Sequence, residues 1–154
     1  MREILFRAKR IDNGEWVEGN IIYSTDAAEG YEAIIIPIEK SNMYADEHDK
    51  NIGFEKWYKV NPETLCQYTG MKDKNGKRIW EKDIISINTY SYMEPEEDYF
   101  GQVVYAEGWA CWCIQQPDDE RPISLCECEG SYQTDRLIEG NIFDNPELLG
   151  QDGV

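Results

Sequence analysis

The chain has 154 residues, enough for one compact unit or two small ones, because domains commonly hold about 100–150 residues and small ones bury proportionally less surface. Hydrophobic residues make up 41%, and five Trp, ten Tyr and four Phe supply the aromatic mass that excludes disorder throughout. The formal charge of −16 repels nucleic-acid phosphates and anionic lipid surfaces.

That charge is uneven. Residues 1–82 hold 13 basic and 15 acidic side chains, whereas residues 83–154 hold 16 acidic ones against Arg121 and Arg136 alone. Such a field favours basic partners or serves solubility. The first residues, Met-Arg-Glu-Ile-Leu-Phe-Arg, lack the apolar core of a secretory signal. The most apolar run, residues 33–38, is far short of the roughly 20 residues of a membrane helix. A soluble, cytoplasmic protein with no membrane partner is expected, and in that compartment five cysteines read as reduced thiols.

In chain order, residues 4–8 and 15–23 mix β-branched and aromatic types around Asp12-Asn13-Gly14 and predict a β-hairpin. Residues 24–30 are small and polar and suit a loop. Residues 31–38 follow as a strand whose Pro37 must sit where no ladder donor is needed. Residues 39–50 carry Asp46, Glu47, His48, Asp49 and Lys50 with no clean apolar period and read as a solvated loop or a loop with one helical turn. Residues 53–60 alternate as a strand, and Asn61-Pro62-Glu63-Thr64 is a turn at which the chain divides.

Residues 67–87 specify the fold best. Asn75-Gly76 is the dipeptide favoured in two-residue type I′ hairpin loops, which need positive φ at both positions. Ile79, Trp80, Ile84, Ile85 and Ile87 then form an apolar strand set around Glu81-Lys82-Asp83. Residues 88–99, interrupted by Pro95, are too polar for a core strand and predict a long exposed loop between the strand ending at Ile87 and the next one at 101–105, with another strand at 109–115 after it. Near the end, Asn145-Pro146-Glu147 can start a short helix or turn, with Pro suited to the first helical position. Residues 17–22 echo residues 138–143, too short a match to define a repeat.

Thr69, Gly70, Met71, Asp73, Asn75, Gly76, Ile79, Trp80, Glu81, Asp83, Ile84 and Ile85 resemble the signature of the YopX family of phage and prophage proteins. Lys82 stands where that pattern has Gly, in a turn where Lys resists positive φ. Arg2-Glu3-Ile4-Leu5-Phe6-Arg7-Ala8 with Gly14-Glu15-Trp16-Val17 resembles the family's opening. Ile138-Glu139-Gly140-Asn141-Ile142-Phe143 with Asn145-Pro146-Glu147-Leu148-Leu149 resembles its close. The resemblance implies an all-β fold, an SH3-like barrel in the C-terminal part, and a place in the cytoplasm of a phage host. Together with the residue patterns it predicts two small barrel-like units, an N-terminal β domain over 1–64 and an SH3-like β-barrel over 65–154.

Four cysteines offer chemistry. If a loop centred on Asp119-Glu120 closes a hairpin, Cys113 opposes Cys126, Cys111 opposes Cys128, Ile114 opposes Leu125 and Trp112 opposes Glu127, with the thiols on one face. A zinc site is one reading. Against it, Cys-x-Cys on a strand spaces its thiols by nearly two residues' rise, unlike a Cys-x₂₋₄-Cys knuckle. Core packing is the leading reading and thiol redox chemistry a third.

Residues 71–82 fail as a calcium loop, with Met71 and Lys82 at positions that need carboxylates. His48 lies among charges with no nucleophile motif beside it, and no phosphate-binding glycine loop occurs. Lys72, Lys74, Lys77, Arg78 and Lys82 with Tyr68 and Trp80 form a basic, aromatic-bearing cluster, diluted by Asp73, Glu81 and Asp83. Nucleic acid is therefore not the expected partner. No catalytic, cofactor-binding or metal-ligating residue is assigned, and no cofactor is expected. The leading reading is a non-enzymatic phage or prophage accessory protein that forms homo-oligomers or contacts a host or phage protein. The alternatives are an acidic mimic of DNA, and a zinc- or thiol-dependent protein using Cys111, Cys113, Cys126 and Cys128.

Overall fold

The computed structural model describes residues 1–90, 96–125 and 133–150. The protein is all-β, built from antiparallel sheets with short 3₁₀ turns between some strands and after the last. It divides into two compact units, Met1–Tyr68 and Thr69–Val154.

In the N-terminal unit, β1 (Phe6–Lys9) and β2 (Trp16–Tyr23) form the hairpin that Asp12-Asn13-Gly14 announces, with Phe6 opposite Gly19 and Lys9 opposite Trp16. Gly14 turns it with φ +72. β2 continues the sheet to β3 (Ala33–Pro37), which pairs with β6 (Tyr58–Lys59) through Ile34 and Ile35 only. Pro37 lies beyond the β6 ladder, where its missing N–H costs nothing on that side. On the other side of β1, Arg7 pairs with Cys66 at the start of β7 (Cys66–Lys72). Alternation puts Ala8, Val17, Ile21, Ala33 and Ile35 on one face, where Val60 and Leu65 complete a small core. Asn61 caps the 3₁₀ turn Pro62–Thr64 by accepting from the Glu63 amide at 3.0 Å.

Residues 39–50 depart from the solvated loop that their charge predicts. Met43–Asp46 (β4) and Asn51–Phe54 (β5) pair as a separate two-stranded ribbon, and the charged run is only its tip.

In the C-terminal unit, the later part of β7 neighbours β8 (Arg78–Trp80). A five-stranded sheet follows in the order β12-β11-β10-β9-β13, formed by β9 (Asp83–Tyr90), β10 (Glu97–Ala106), β11 (Cys111–Gln115), β12 (Ile123–Ser124) and β13 (Gln133–Asn141). Ile79, Ile85, Ile87, Val103, Ile114 and Leu125 form its fully buried core. The short helix begins as Asn145-Pro146 predicts, as the 3₁₀ turn Pro146–Leu149.

Three expectations need correction here. Among the described residues no sheet closes into a barrel; the five-stranded sheet ends at β12 and β13. The described ends of the expected loop are strand: Thr89 pairs with Glu97, Asn88 with Asp98 and Ile87 with Tyr99. Its polarity misleads because alternation sends Asn88, Tyr90 and Asp98 outward while Ile87 and Thr89 stay buried. The β11–β12 register is two residues off the expected one, with Cys113 opposite Ser124 and Ile114 opposite Ile123. The reversal is therefore centred one residue earlier, where Asp119 accepts from the Arg121 amide and the Gln115 side-chain amide donates to the Gln116 and Asp119 carbonyls. Cys126, Cys128 and Glu127 lie outside the described residues.

Candidate functional site

The β4–β5 ribbon is the exposed feature of the N-terminal unit with the clearest build. Cross-strand pairs Met43–Phe54 and Ala45–Ile52 fall on one face, and Tyr44–Gly53 and Asp46–Asn51 on the other. The first set is apolar throughout, yet Met43 is 68% exposed and Ile52 66%. The base is tied by reciprocal bonds between Ser41 and Lys56: the hydroxyl donates to the Lys56 carbonyl at 2.6 Å and accepts from its amide at 3.0 Å. Below the ribbon face, the Glu55 amide donates to the Asn42 carbonyl, and the Asn42 side chain donates to Glu55 Oε2 at 2.9 Å. On the second face the Tyr44 ring lies over Gly53, so close that a β-carbon there would sit 2.1 Å from Tyr44 Cζ. The tip carries Lys50 at φ +53, and Asp46 Oδ1 accepts from the His48 and Asp49 amides. His48 is an exposed tip residue whose ring faces Asp49 at 3.2 Å, far from any nucleophile arrangement.

The ribbon residues escape a sequence reading because each strand shows only four residues of alternation around a charged tip. The signal that could have found them is the mirrored spacing of Met43 and Ala45 with Ile52 and Phe54 about that tip.

In the C-terminal unit, the reversal at residues 73–77 is organised by a carboxylate. Asp73, 6% exposed, accepts at Oδ1 from the Asn75 and Lys77 amides, both at 2.9 Å, and at Oδ2 from the Ile138 amide at 3.4 Å. Burial pushes its carboxyl upward, but the amides of Lys77, Asn75 and Ile138, with the Lys77 charge, outweigh it and hold the group below the ordinary aspartate value. The predicted type I′ turn does not form, since Gly76 has positive φ (+79) and Asn75 does not. The Gly76 amide returns to the Asp73 carbonyl instead, giving a tight turn followed by a left-handed glycine. The carboxylate wins because it satisfies two amides that a two-residue loop would leave to solvent.

One step on, Asp83, 1% exposed, accepts from the Trp80 amide at 2.8 Å. Between them Lys82 adopts φ +67, the conformation that its glycine-like position demands. Its amide donates to Val103 and its carbonyl accepts from Ile142. These are the positions of the signature read from the sequence, and the model of the YopX protein family matches residues 5–150. The chain belongs to the YopX family. No curated protein matches it. The crystal structure of protein EF1440 from Enterococcus faecalis is similar in fold, with a TM-score of 0.60 at 24% identity over 97% of this chain and 99% of that one.

Within this YopX protein the basic cluster of residues 72–82 loses its aromatic component, because Trp80 is 2% and Tyr68 6% exposed. Neither ring face is offered for base stacking. Of the cysteines, Cys66 is buried and donates to the Thr64 carbonyl. Cys111 and Cys113 bring their sulfurs to 3.6 Å, closer than strand spacing suggests. Among the described residues no three His, Cys, Asp or Glu side chains gather as a metal site. An open groove of about 670 Å³ runs along Gln102, Gln115, Gln116, Asp118, Asp119 and Leu149. Among the described residues no helix is long and apolar enough to cross a membrane.

Proposed function

We propose that this YopX protein is a non-enzymatic phage or prophage accessory protein that acts through protein–protein contact, with the apolar face of the β4–β5 ribbon as the contact surface and a second copy as the first partner. The single observation behind this reading is the exposure of Met43 and Ile52 on a ribbon that, among the described residues, pairs with no other strand. A two-stranded ribbon alone is marginal in water. Its apolar face is stabilised when covered, and its open edges offer main-chain donors and acceptors to another strand. We further infer an SH3-like plan for the C-terminal unit. Its support is the strand order: β9 to β12 form a meander, and β13 returns beside β9.

Size-exclusion chromatography with light scattering tests the contact. The wild type is expected as an oligomer and a Met43→Asp/Ile52→Asp variant as a folded monomer. A wild type that stays monomeric across concentrations removes the second-copy assignment. An oligomer untouched by the double variant removes the ribbon.

A further inference from the structure

Gln102 and Gln115 stand opposite one another on β10 and β11, and strand alternation sends them to the sheet face away from the core residues Val103 and Ile114. Phe100, two residues before Gln102, shares that face and is half-buried. The open groove of about 670 Å³ runs over this floor and continues past Phe100. One wall is the reversal after β11, with Asp118, Asp119 and Glu120; the other is the 3₁₀ turn Pro146–Leu149, which contributes Leu149. The reversal is held from within: the Gln115 side-chain amide donates to the Asp119 carbonyl, and Asp119 Oδ1 accepts from the Arg121 amide at 2.8 Å. Asp118 and Glu120 take no part in that network. Among the described residues neither carboxylate has a hydrogen-bond or ion-pair partner, and the side-chain amides of Gln102 and Gln116 have none either.

We propose that this groove binds an extended segment of a basic partner protein, through an arginine or lysine flanked by aliphatic residues. Charge complementarity carries the assignment. Two uncompensated negative charges stand on one wall, and residues 83–154 bring no cation to them. Arg136 is buried opposite the core residue Ile87 and donates to the Leu125 carbonyl at 3.0 Å, and Arg121 makes no ion pair among the described residues. Gln102 and Gln116 each offer both a donor and an acceptor, which is what an extended main chain needs. Phe100 and Leu149 offer apolar contact to the aliphatic flanks of the cation. A small-molecule site encloses most of its ligand, whereas this groove is open and suits a chain that enters and leaves. The site lies within the C-terminal unit and does not depend on the ribbon contact.

The test is titration of the isotope-labelled, full-length protein with the capped pentapeptide Gly-Leu-Arg-Leu-Gly, followed by two-dimensional amide NMR. The same peptide with citrulline or glutamate in place of arginine probes the charge. The arginine peptide is expected to move the side-chain amide resonances of Gln102 and Gln116 and the backbone amide of Leu149. The citrulline peptide should bind about fivefold more weakly, as two exposed ion pairs are lost, and the glutamate peptide not at all. Asp118→Asn/Glu120→Gln, which removes charge at two exposed positions, should weaken the arginine peptide by about the same factor. Glu96→Gln/Glu107→Gln, which removes as much charge at exposed positions outside the groove, should leave it unchanged. Equal binding of the arginine and citrulline peptides, equal weakening in both double variants, or no shift at millimolar peptide overturns the proposal. So does an oligomer that light scattering shows to be lost in Asp118→Asn/Glu120→Gln, because the groove would then belong to a second copy.

Discussion

Six aliphatic side chains, Ile79, Ile85, Ile87, Val103, Ile114 and Leu125, are shut from solvent in the C-terminal unit. In the N-terminal unit the buried cluster is Ala8, Ala33, Ile35 and Val60, two of them alanines; Leu5, Ile36 and Tyr68 are buried there as well, while Met43, Tyr44 and Ile52 are about two-thirds exposed. The C-terminal unit too exposes large residues, among them Tyr105 and Trp109, but its buried cluster is made of larger aliphatic side chains. Because burial contributes about 25 cal/mol per Å² of apolar surface, the C-terminal unit is the stability anchor. The N-terminal unit carries the ribbon surface proposed as the contact.

The largest expected effect sets one isoleucine in each unit against the other. Ile87→Ala removes a fully buried side chain and is expected to cost about 3–4 kcal/mol. In Ile52→Ala, at a ribbon position exposed in the lone chain, the change in stability of the monomer stays within about 0.5 kcal/mol. Urea unfolding with amide hydrogen exchange resolved by residue measures both, and comparable losses would break the comparison.

Next in size, Asp73→Ala strips the acceptor from three amides and is expected to cost about 2–3 kcal/mol. The pH dependence follows from the lowered carboxyl. Asp73 stabilises the fold fully above the ordinary aspartate value of 3.8, and this contribution is lost as pH falls through the lower native value. The stability gap between wild type and Asp73→Asn should therefore narrow below pH 3.8. A gap that widens on acidification refutes the assigned role.

The smallest effect has the opposite sign. Lys82→Gly relieves a left-handed lysine but gives up the ammonium–ring contact with Phe143, 5.5 Å to the centroid. A net gain of about 0.5 kcal/mol is expected in the C-terminal unit. A loss would mean that the side chain matters more than the backbone.

How much of this could be read from residues alone differs between the units. Ile79, Trp80, Ile84, Ile85 and Ile87 are buried as their types suggest, because β-branched and aromatic runs reflect burial directly. The glycine-like demand at residue 82 was legible only through the resemblance, whose pattern has Gly there, and Lys82 does adopt positive φ. The type I′ turn was not. Asn75-Gly76 states a local preference, and the Asp73 carboxylate overrides it by bonding amides on both sides of the turn. The ribbon was hidden for a related reason, as period-two alternation needs more than four residues to stand out from a charged loop. The sulfur approach at Cys111 and Cys113 was invisible because it depends on how far two side chains lean, which strand spacing alone does not state.

The ring of Tyr44 poised above Gly53 gives the ribbon a magnetic signature. The α-protons of that glycine lie in the shielding cone of the aromatic current, so their resonances should move upfield only while the two strands are paired. That shift reports whether the hairpin is assembled in the lone chain or zips up on docking, without labelling either partner.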